Sequence, residues 1–373
     1  MEKYANILEY IPSHDTNKSK IKRTRLYEIF NKFNSNHSLC KKQIYTTSLS
    51  GGVDSMVLTY LLYVWVNKES DIQCLHINYN NRSETDEEEQ FLKEWCENLG
   101  IDLKILHFGE YQRSAVARNE YELETRRQRY TFYRENCEEI YLGHHGNDVA
   151  ENAFCNIMKG RNILDLSVIT EISTNMGVTL LRPLRDIPKK EILQFAHKFG
   201  IPYFKDTTPQ WSNRGKLRNK IFTAIEDQFG SHSQIALYEL AQQSDQMRQM
   251  FDKMILEPYL KNVVNEKYGF IFPLDGYENM PILFWNTVLM TSLHSVGISM
   301  PKRSQINILV GKIISKFEGQ ISLKDGFTTI LIRDKINVIV MIENQYLDFF
   351  KIFTQNESNI AIHDKLINFM KGY

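Results

Sequence analysis

Hydrophobic positions along the chain switch repeatedly between a two-residue and a three-to-four-residue period, and each switch marks a predicted element. The first stretch, residues 1–40, is polar, with a helical stripe only around Leu26, Ile29 and Phe30, and reads as a helical extension. From residue 41 the pattern alternates. Runs at 44–49, 72–78, 103–108, 139–143 and 178–181 are rich in β-branched and apolar residues and read as strands. Between them, 54–66, 84–99, 120–136 and 148–158 read as helices, the second closed by Gly100. Such alternation predicts an α/β fold, a doubly wound parallel sheet with helices on both faces. Binding sites in that architecture lie beyond the carboxyl ends of the strands.

A boundary is expected near Gly230. Beyond it, 235–260 predicts one long helix or a helix pair, with further helices at 283–295 and 305–317. Strand-like segments follow at 270–272, 321–323, 328–332 and 336–342. The expected organisation is an extension over 1–40, the main α/β domain over 41–228, a smaller, mainly helical α+β domain over 229–342, and an aromatic-rich tail over 343–373.

Composition adds little to this picture until its distribution is considered. The chain has 373 residues, 42% of them hydrophobic, enough to bury the cores of two or three domains. Five cysteines without a Cys-x-x-Cys pair indicate neither a zinc ribbon nor a redox dithiol, and they fit a reducing cytosol. No apolar run is long enough for a signal peptide or a membrane span, so a soluble cytoplasmic protein without a membrane partner is expected. The formal net charge is zero, yet residues 182–220 hold ten Lys/Arg against three acids. That segment can meet phosphates, or it can be an ordinary solvated face.

Two strand ends carry chemistry. The first is Ser50-Gly51-Gly52-Val53-Asp54-Ser55, which ends a strand and opens a helix. Glycines without Cβ let the backbone approach an anion, and the N–H groups of the helix start add partial positive charge. Ser50 and Ser55 can donate hydroxyl hydrogen bonds to phosphate. Asp54 would repel phosphate alone and is suited to a Mg²⁺ that bridges to it. No lysine follows the glycines, so this is not the common Gly-x-x-x-x-Gly-Lys loop. The Ser-Gly-Gly-x-Asp-Ser string is similar to the signature of the ATP pyrophosphatases, which cleave ATP between its α and β phosphates. The second strand end is Gly143-His144-His145-Gly146-Asn147-Asp148-Val149-Ala150-Glu151. Asp148 and Glu151 are three residues apart and share one helical face. They can bind a cation or an amine, or polarise a nucleophile; the histidines can move protons or shape a pocket.

Taken in order, these motifs resemble the tRNA(Ile)-lysidine synthetase family, well over residues 42–219 and weakly to about residue 340. After the Ser50–Ser55 loop comes Leu75-His76-Ile77-Asn78-Tyr79-Asn80-Asn81-Arg82, then Glu122 to Tyr130 with Arg126 and Arg129. The His144–Glu151 box, Arg182-Pro183-Leu184, and Asp206 with Asn213, Arg218 and Asn219 complete the series. The chain departs from the pattern at Tyr79, Asn147 and Asn152, and in the basic segment 206–218, where Trp211 can stack a base or plug a loop. The resemblance implies an adenine nucleotide alpha hydrolase-like fold and a carbon–nitrogen ligase. Such an enzyme adenylates the wobble cytidine of an isoleucine tRNA with a CAU anticodon and then admits free L-lysine. It implies ATP on Ser50, Gly51, Gly52, Val53, Asp54, Ser55, His76, Gly143 and His144, and Mg²⁺ on Asp54 and Asp148. Catalysis falls to Asp54, His145, Asp148 and Glu151, and RNA contact to Arg182, Arg214, Lys216 and Arg218. The domain after Gly230 is then the substrate-recognition domain, with Gly319 to Gly326 similar to one of its strand-turn-strand elements; a homodimer is an open assembly state. Rival expectations are a tRNA 2-thiolation enzyme, a small-metabolite synthetase, and a non-catalytic RNA-binding descendant.

Overall fold

The computed structural model describes residues 4–10, 18–39, 44–66, 68–80, 84–108, 118–205, 213–266, 269–277, 279–295, 302–317, 319–322, 328–333 and 337–342. Arg82, Asp206, Trp211, the 323–326 turn and the 343–373 tail lie outside the described residues. The chain divides into two compact units, residues 1–245 and 246–373.

In the first unit the N-terminal extension is not wholly helical. It begins with a strand, β1 (Leu8–Tyr10), and continues through α1 (Lys18–Ile21) and α2 (Arg25–Asn36). Thr24 caps α2, its hydroxyl accepting the N–H of Tyr27. The alternating region then follows as β2 (Tyr45–Ser48), α3 (Val53–Trp65), β3 (Ile72–Asn78), α4 (Thr85–Leu99), β4 (Asp102–His107), α5 (Arg118–Asn136), β5 (Glu139–Tyr141) and α6 (Gly146–Met158). Gly100 ends α4 in the left-handed conformation that favours glycine. Next come β6 (Ile172–Asn175), β7 (Val178–Leu181), α7 (Lys189–Phe199) and β8 (Tyr203–Phe204). The unit closes with α8 (Asn213–Lys216), a π-helical stretch Leu217–Phe222, α9 (Thr223–Phe229) and α10 (Ser233–Phe251), within which the division falls. Tyr238 and Ala241 of α10 pack with Val149 and Ala153 of α6, and Ser244 Oγ donates to the Ile163 carbonyl, which ties this half of α10 to the first unit.

Six strands form one sheet in the order β4-β3-β2-β5-β7-β6. All neighbours are parallel except the edge strand β6, which turns back against β7. Period-two alternation sends successive side chains to opposite faces, and both faces are buried. Cys74, Tyr141 and Leu181 join a core with α2, α3, α4 and α7. Their neighbours Leu75, Ile140 and Leu180 face a second core around Tyr130 and Tyr133 of α5. Helix α3 lies deep in the first core and is apolar almost all round. Strand numbering reverses between β2 and β5, so the crevice of the sheet opens at the ends of those two strands.

In the second unit a π-helical turn, Asp252–Leu256, joins α10 to α11 (Glu257–Leu260). Over 235–260, where one long helix or a helix pair is expected, the helical run is locally widened next to Pro258, which lacks an N–H for the helical ladder. Strands β9 (Val264–Glu266) and β10 (Gly269–Pro273), helices α12 (Ile282–Ser295) and α13 (Arg303–Ile314), and strands β11 (Gly319–Ser322), β12 (Thr328–Arg333) and β13 (Asn337–Ile342) complete it. The five strands make an antiparallel sheet, β11-β12-β13-β10-β9, and Phe270, Phe272, Trp285 and Leu309 share its core. Among the described residues no helix is long and apolar enough to cross a membrane.

Candidate active site

Parallel pairing of β2 with β5, Thr47 beside Tyr141, brings the two chemical strand ends side by side. Gly143 permits the contact: a Cβ there would lie 2.9 Å from the Asp54 carbonyl carbon and 3.0 Å from the Ser55 nitrogen. Gly143 therefore packs strand end on loop. Within the loop, Gly51 has φ +81°, a conformation glycine adopts without strain. The Ser55 hydroxyl donates to the Gly52 carbonyl at 2.9 Å and accepts the Ser50 N–H at 3.1 Å, holding the turn over the first helical residues. Val53 is buried, so it offers only its backbone. Asp54 projects half-buried at the helix start, where the ladder leaves N–H groups unpaired.

Around Asp54 the charges meet. Lys189, the first residue of α7, places Nζ 2.7 and 2.5 Å from the two Asp54 oxygens. Its segment is fastened to the box, because Gly146 N–H donates to the Ile187 carbonyl at 2.8 Å and Lys189 N–H to Asn147 Oδ1 at 3.0 Å. Asn147 also donates from Nδ2 to Gln234 Oε1 at 2.6 Å, a donor role that a carboxylate could not fill. His145 is buried between two carboxylates, its Nε2 3.6 Å from Asp54 Oδ1 and 3.4 Å from Asp148 Oδ2. Those distances allow attraction without alignment: neither ring nitrogen has a hydrogen-bond partner. Burial lowers its pKa, against the pull of Asp148 and Asp54, so the ring is neutral at pH 7.

Asp148 and Glu151 face the same space from α6. Asp148 accepts the backbone N–H of His145 at 3.1 Å and pairs with Arg214 and, at 3.2 Å, Arg218. Burial pushes its carboxyl up, but His145, Arg214 and the N–H outweigh it and hold the pKa below the usual range. Glu151 takes Arg218 Nε at 2.5 Å, yet here burial prevails and its pKa is raised. His144, held at about 4 by burial first, accepts Arg182 Nε on Nδ1 at 3.2 Å, so its proton sits on Nε2.

These placements sort the expected RNA-binding cations. Arg182 is 6% exposed and donates from Nη1 to the Thr170 carbonyl and Ser173 Oγ, so it braces His144. Arg214 and Arg218 turn inward to carboxylates, and Lys216 stays exposed. The positive segment is thus partly cancelled by acids from distant parts of the chain.

Beside the loop, a cavity of about 290 Å³ is lined by Ser50, His76, Tyr79, Glu88, Arg129 and Tyr133, among others. His76 is buried and its Nδ1 donates to the Leu49 carbonyl at 2.8 Å, fixing the ring at the loop's root. Tyr79 stacks on Phe108 with centroids 5.0 Å apart, and its hydroxyl accepts from the Arg129 guanidinium. Arg129 Nε is buried with no hydrogen-bond partner, an unusual cost for a charged group. By sequence, Lys189 is placed only within the basic run 182–220, and Arg129 only through the family pattern, as a cation to balance phosphate or RNA charge. A cation at the first position of a helix, where the dipole disfavours it, marks Lys189; Arg129 is one of five arginines in α5, and only its place in the family pattern distinguishes it.

Among the described residues no group of three His, Cys, Asp or Glu forms a metal cage. Mg²⁺ needs only one or two carboxylates when phosphates supply the remaining oxygens. Asp54 fits that role, since among the described residues its side chain hydrogen-bonds to a flexible lysine alone; Asp148 is occupied by two arginines and an N–H.

A family model described as a PP-loop domain matches residues 19–225. A tRNA(Ile)-lysidine synthase of Chlamydia caviae is 32% identical over 237 residues, covering 61% of this chain and 72% of that protein. One from Staphylococcus aureus is 26% identical over 335 residues, covering 85% and 76%. Among solved structures, the U34-tRNA thiolase NcsA of Methanococcus maripaludis is similar at a TM-score of 0.46 and 22% identity, over 60% of this chain and 79% of that one.

Proposed function

The chain belongs to the PP-loop family and, within it, to the tRNA(Ile)-lysidine synthases, and from that premise we propose that it joins lysine to a tRNA wobble cytidine at the expense of ATP. The cytidine 2-oxygen attacks the α-phosphorus and pyrophosphate leaves. The ε-amine of lysine then attacks the activated carbon and AMP leaves. Mg²⁺ held by Asp54 would offset the charge of the departing pyrophosphate when ATP is bound. The loop N–H groups and Ser50 are set to bind phosphate oxygens, and Lys189, freed from Asp54, supplies a cation beside them.

Lysine arrives as an ammonium and must lose a proton before attack. Asp148 and Glu151 supply the negative field for it, provided it displaces Arg214 or Arg218. The observation that carries the reading is His145. A neutral imidazole with no hydrogen-bond partner lies between the phosphate-loop carboxylate and the box carboxylate, suited to accept that proton. Exposed Lys216 suits contact with the RNA backbone.

The test is an ATP–pyrophosphate exchange assay with isoleucine tRNA of CAU anticodon, followed by lysine addition. Exchange that needs tRNA, with AMP release that then needs lysine, is expected. Sulfur transfer, or ATP cleavage indifferent to RNA, would sink the proposal.

A further inference from the structure

Strand β8 stands apart from the six-stranded sheet, and among the described residues its strand partner is β1 of the N-terminal extension. Leu8 pairs with Phe204 and Tyr10 with Tyr203. The pairing is extended on both sides: Lys205 N–H donates to the Ile7 carbonyl at 2.9 Å, and Lys205 Nζ to the Asn6 carbonyl at 2.7 Å. Tyr4, Ile7 and Leu8 are all buried, so this part of the extension is core, not a loose arm.

What β8 touches is the phosphate loop. Phe204 N–H donates to the Gly51 carbonyl at 2.9 Å. Its ring lies flush on Gly51, where a Cβ would fall 1.9 Å from the ring edge. The same ring meets Phe91 of α4 edge-on at 5.4 Å, and Phe91 meets Tyr4 edge-on at 5.3 Å. An aromatic line thus runs from the N-terminal segment, through α4, to the glycine at which the loop bends. A two-residue strand cannot hold its place by its own hydrogen bonds, since isolated short pairings are marginal in water. Its position depends on what it pairs with and packs on.

We propose that the Leu8–Tyr10 strand is a positioning element for ATP: it holds Phe204 on Gly51 and so keeps the loop N–H groups aimed at phosphate. Leu8, Tyr4 and Phe204 are positioning residues that act through Gly51. Loop donors displaced by about an ångström lose much of their value, because their strength depends on alignment.

The inference rests on nucleotide binding and not on lysidine formation, so the readout is equilibrium binding of Mg·ATP by the full chain without tRNA. Leu8→Ala should weaken ATP binding ~tenfold or more, while Leu8→Ile, which keeps the volume, stays near wild type. Ile21→Ala serves as the control: Ile21 is fully buried in the same core, and among the described residues it takes no part in the strand pairing or ring contacts of Phe204. It should lower the melting temperature comparably and leave ATP affinity intact. Should Leu8→Ala fail to fold, Leu8→Val provides a milder step with the same expected ordering. Unchanged ATP affinity in Leu8→Ala (or in Leu8→Val where it replaces it), or equal weakening by Ile21→Ala, overturns the proposal. A chain that binds Mg·ATP with this Leu8 dependence but makes no lysidine leaves the positioning role standing and removes only the substrate assignment.

Discussion

Two regions flank the phosphate loop and solve the problem of buried charge in opposite ways. In the His144–Glu151 box, and at the loop carboxylate facing it, each acid is already compensated: Asp148 by Arg214 and Arg218, Glu151 by Arg218, Asp54 by Lys189. In the cavity on the other side, Arg129 keeps a buried Nε without a partner beside Tyr79 and Ser50. The box is closed upon itself, and a ligand must displace an internal cation to enter. The cavity is lined by Arg129, whose buried Nε has no hydrogen-bond partner among the described residues. In the proposed reaction an anionic nucleotide would meet the cavity's guanidinium, whereas a cationic amine would enter the box only by exchange. A positive ligand replaces a positive side chain, so the desolvated carboxylates are never left bare.

The comparison can be broken at its strongest point first. Asp54→Asn should reduce pyrophosphate exchange by about 10³-fold, on the scale of losing a preorganised charge contact, while RNA binding measured by filter retention is spared. Loss of RNA binding instead would mean that the loop carboxylate serves the wrong partner. On the cavity side, Arg129→Ala should raise KM for ATP by roughly ten- to a hundredfold, the value of one hydrogen bond to a charged group. Arg129→Lys should recover only part, because an ammonium lacks the planar fork. A normal KM in steady-state kinetics would show that the unpartnered Nε is not awaiting a nucleotide.

A smaller effect sharpens the electrostatics. His144 is held near 4 by burial, against about 6.5 unfolded. The unfolded chain therefore takes up a proton first, and stability is full above pH 6.5 and lost progressively as pH falls from there to about 4. Urea titrations across that window should show the slope, and His144→Gln should flatten it; an unaltered slope would assign the loss to other groups.

Much of this site was legible in the chain itself. Ser50 to Ser55 could be read because a phosphate loop makes demands on consecutive residues: small ones for the turn, a helix start for the field. The box was legible for the same reason, since Asp148 and Glu151 share a face by helical spacing alone. Lys189 was visible only as one cation in a basic run, because its partner lies 135 residues away. Arg182 was read as an RNA-contacting cation, since nothing local shows that it is buried and bonded to Thr170 and Ser173. The extension was read as helical because three residues are too few to carry a period; β1 is a strand because β8 is there to pair with it.

The sequence by itself determined the alternation of strands and helices, the two strand ends that carry chemistry, and their order along the chain, all of which depend on residues a few positions apart. Tertiary structure alone decided that β2 and β5 lie side by side, that a neutral His145 falls between Asp54 and Asp148, and which cation neutralises which acid. It also decided that the N-terminal strand reaches Gly51 through Phe204. Those pairings depend on distances set by sheet register and helix packing, and charge complementarity, being non-directional and long in reach, leaves no periodic trace in a sequence.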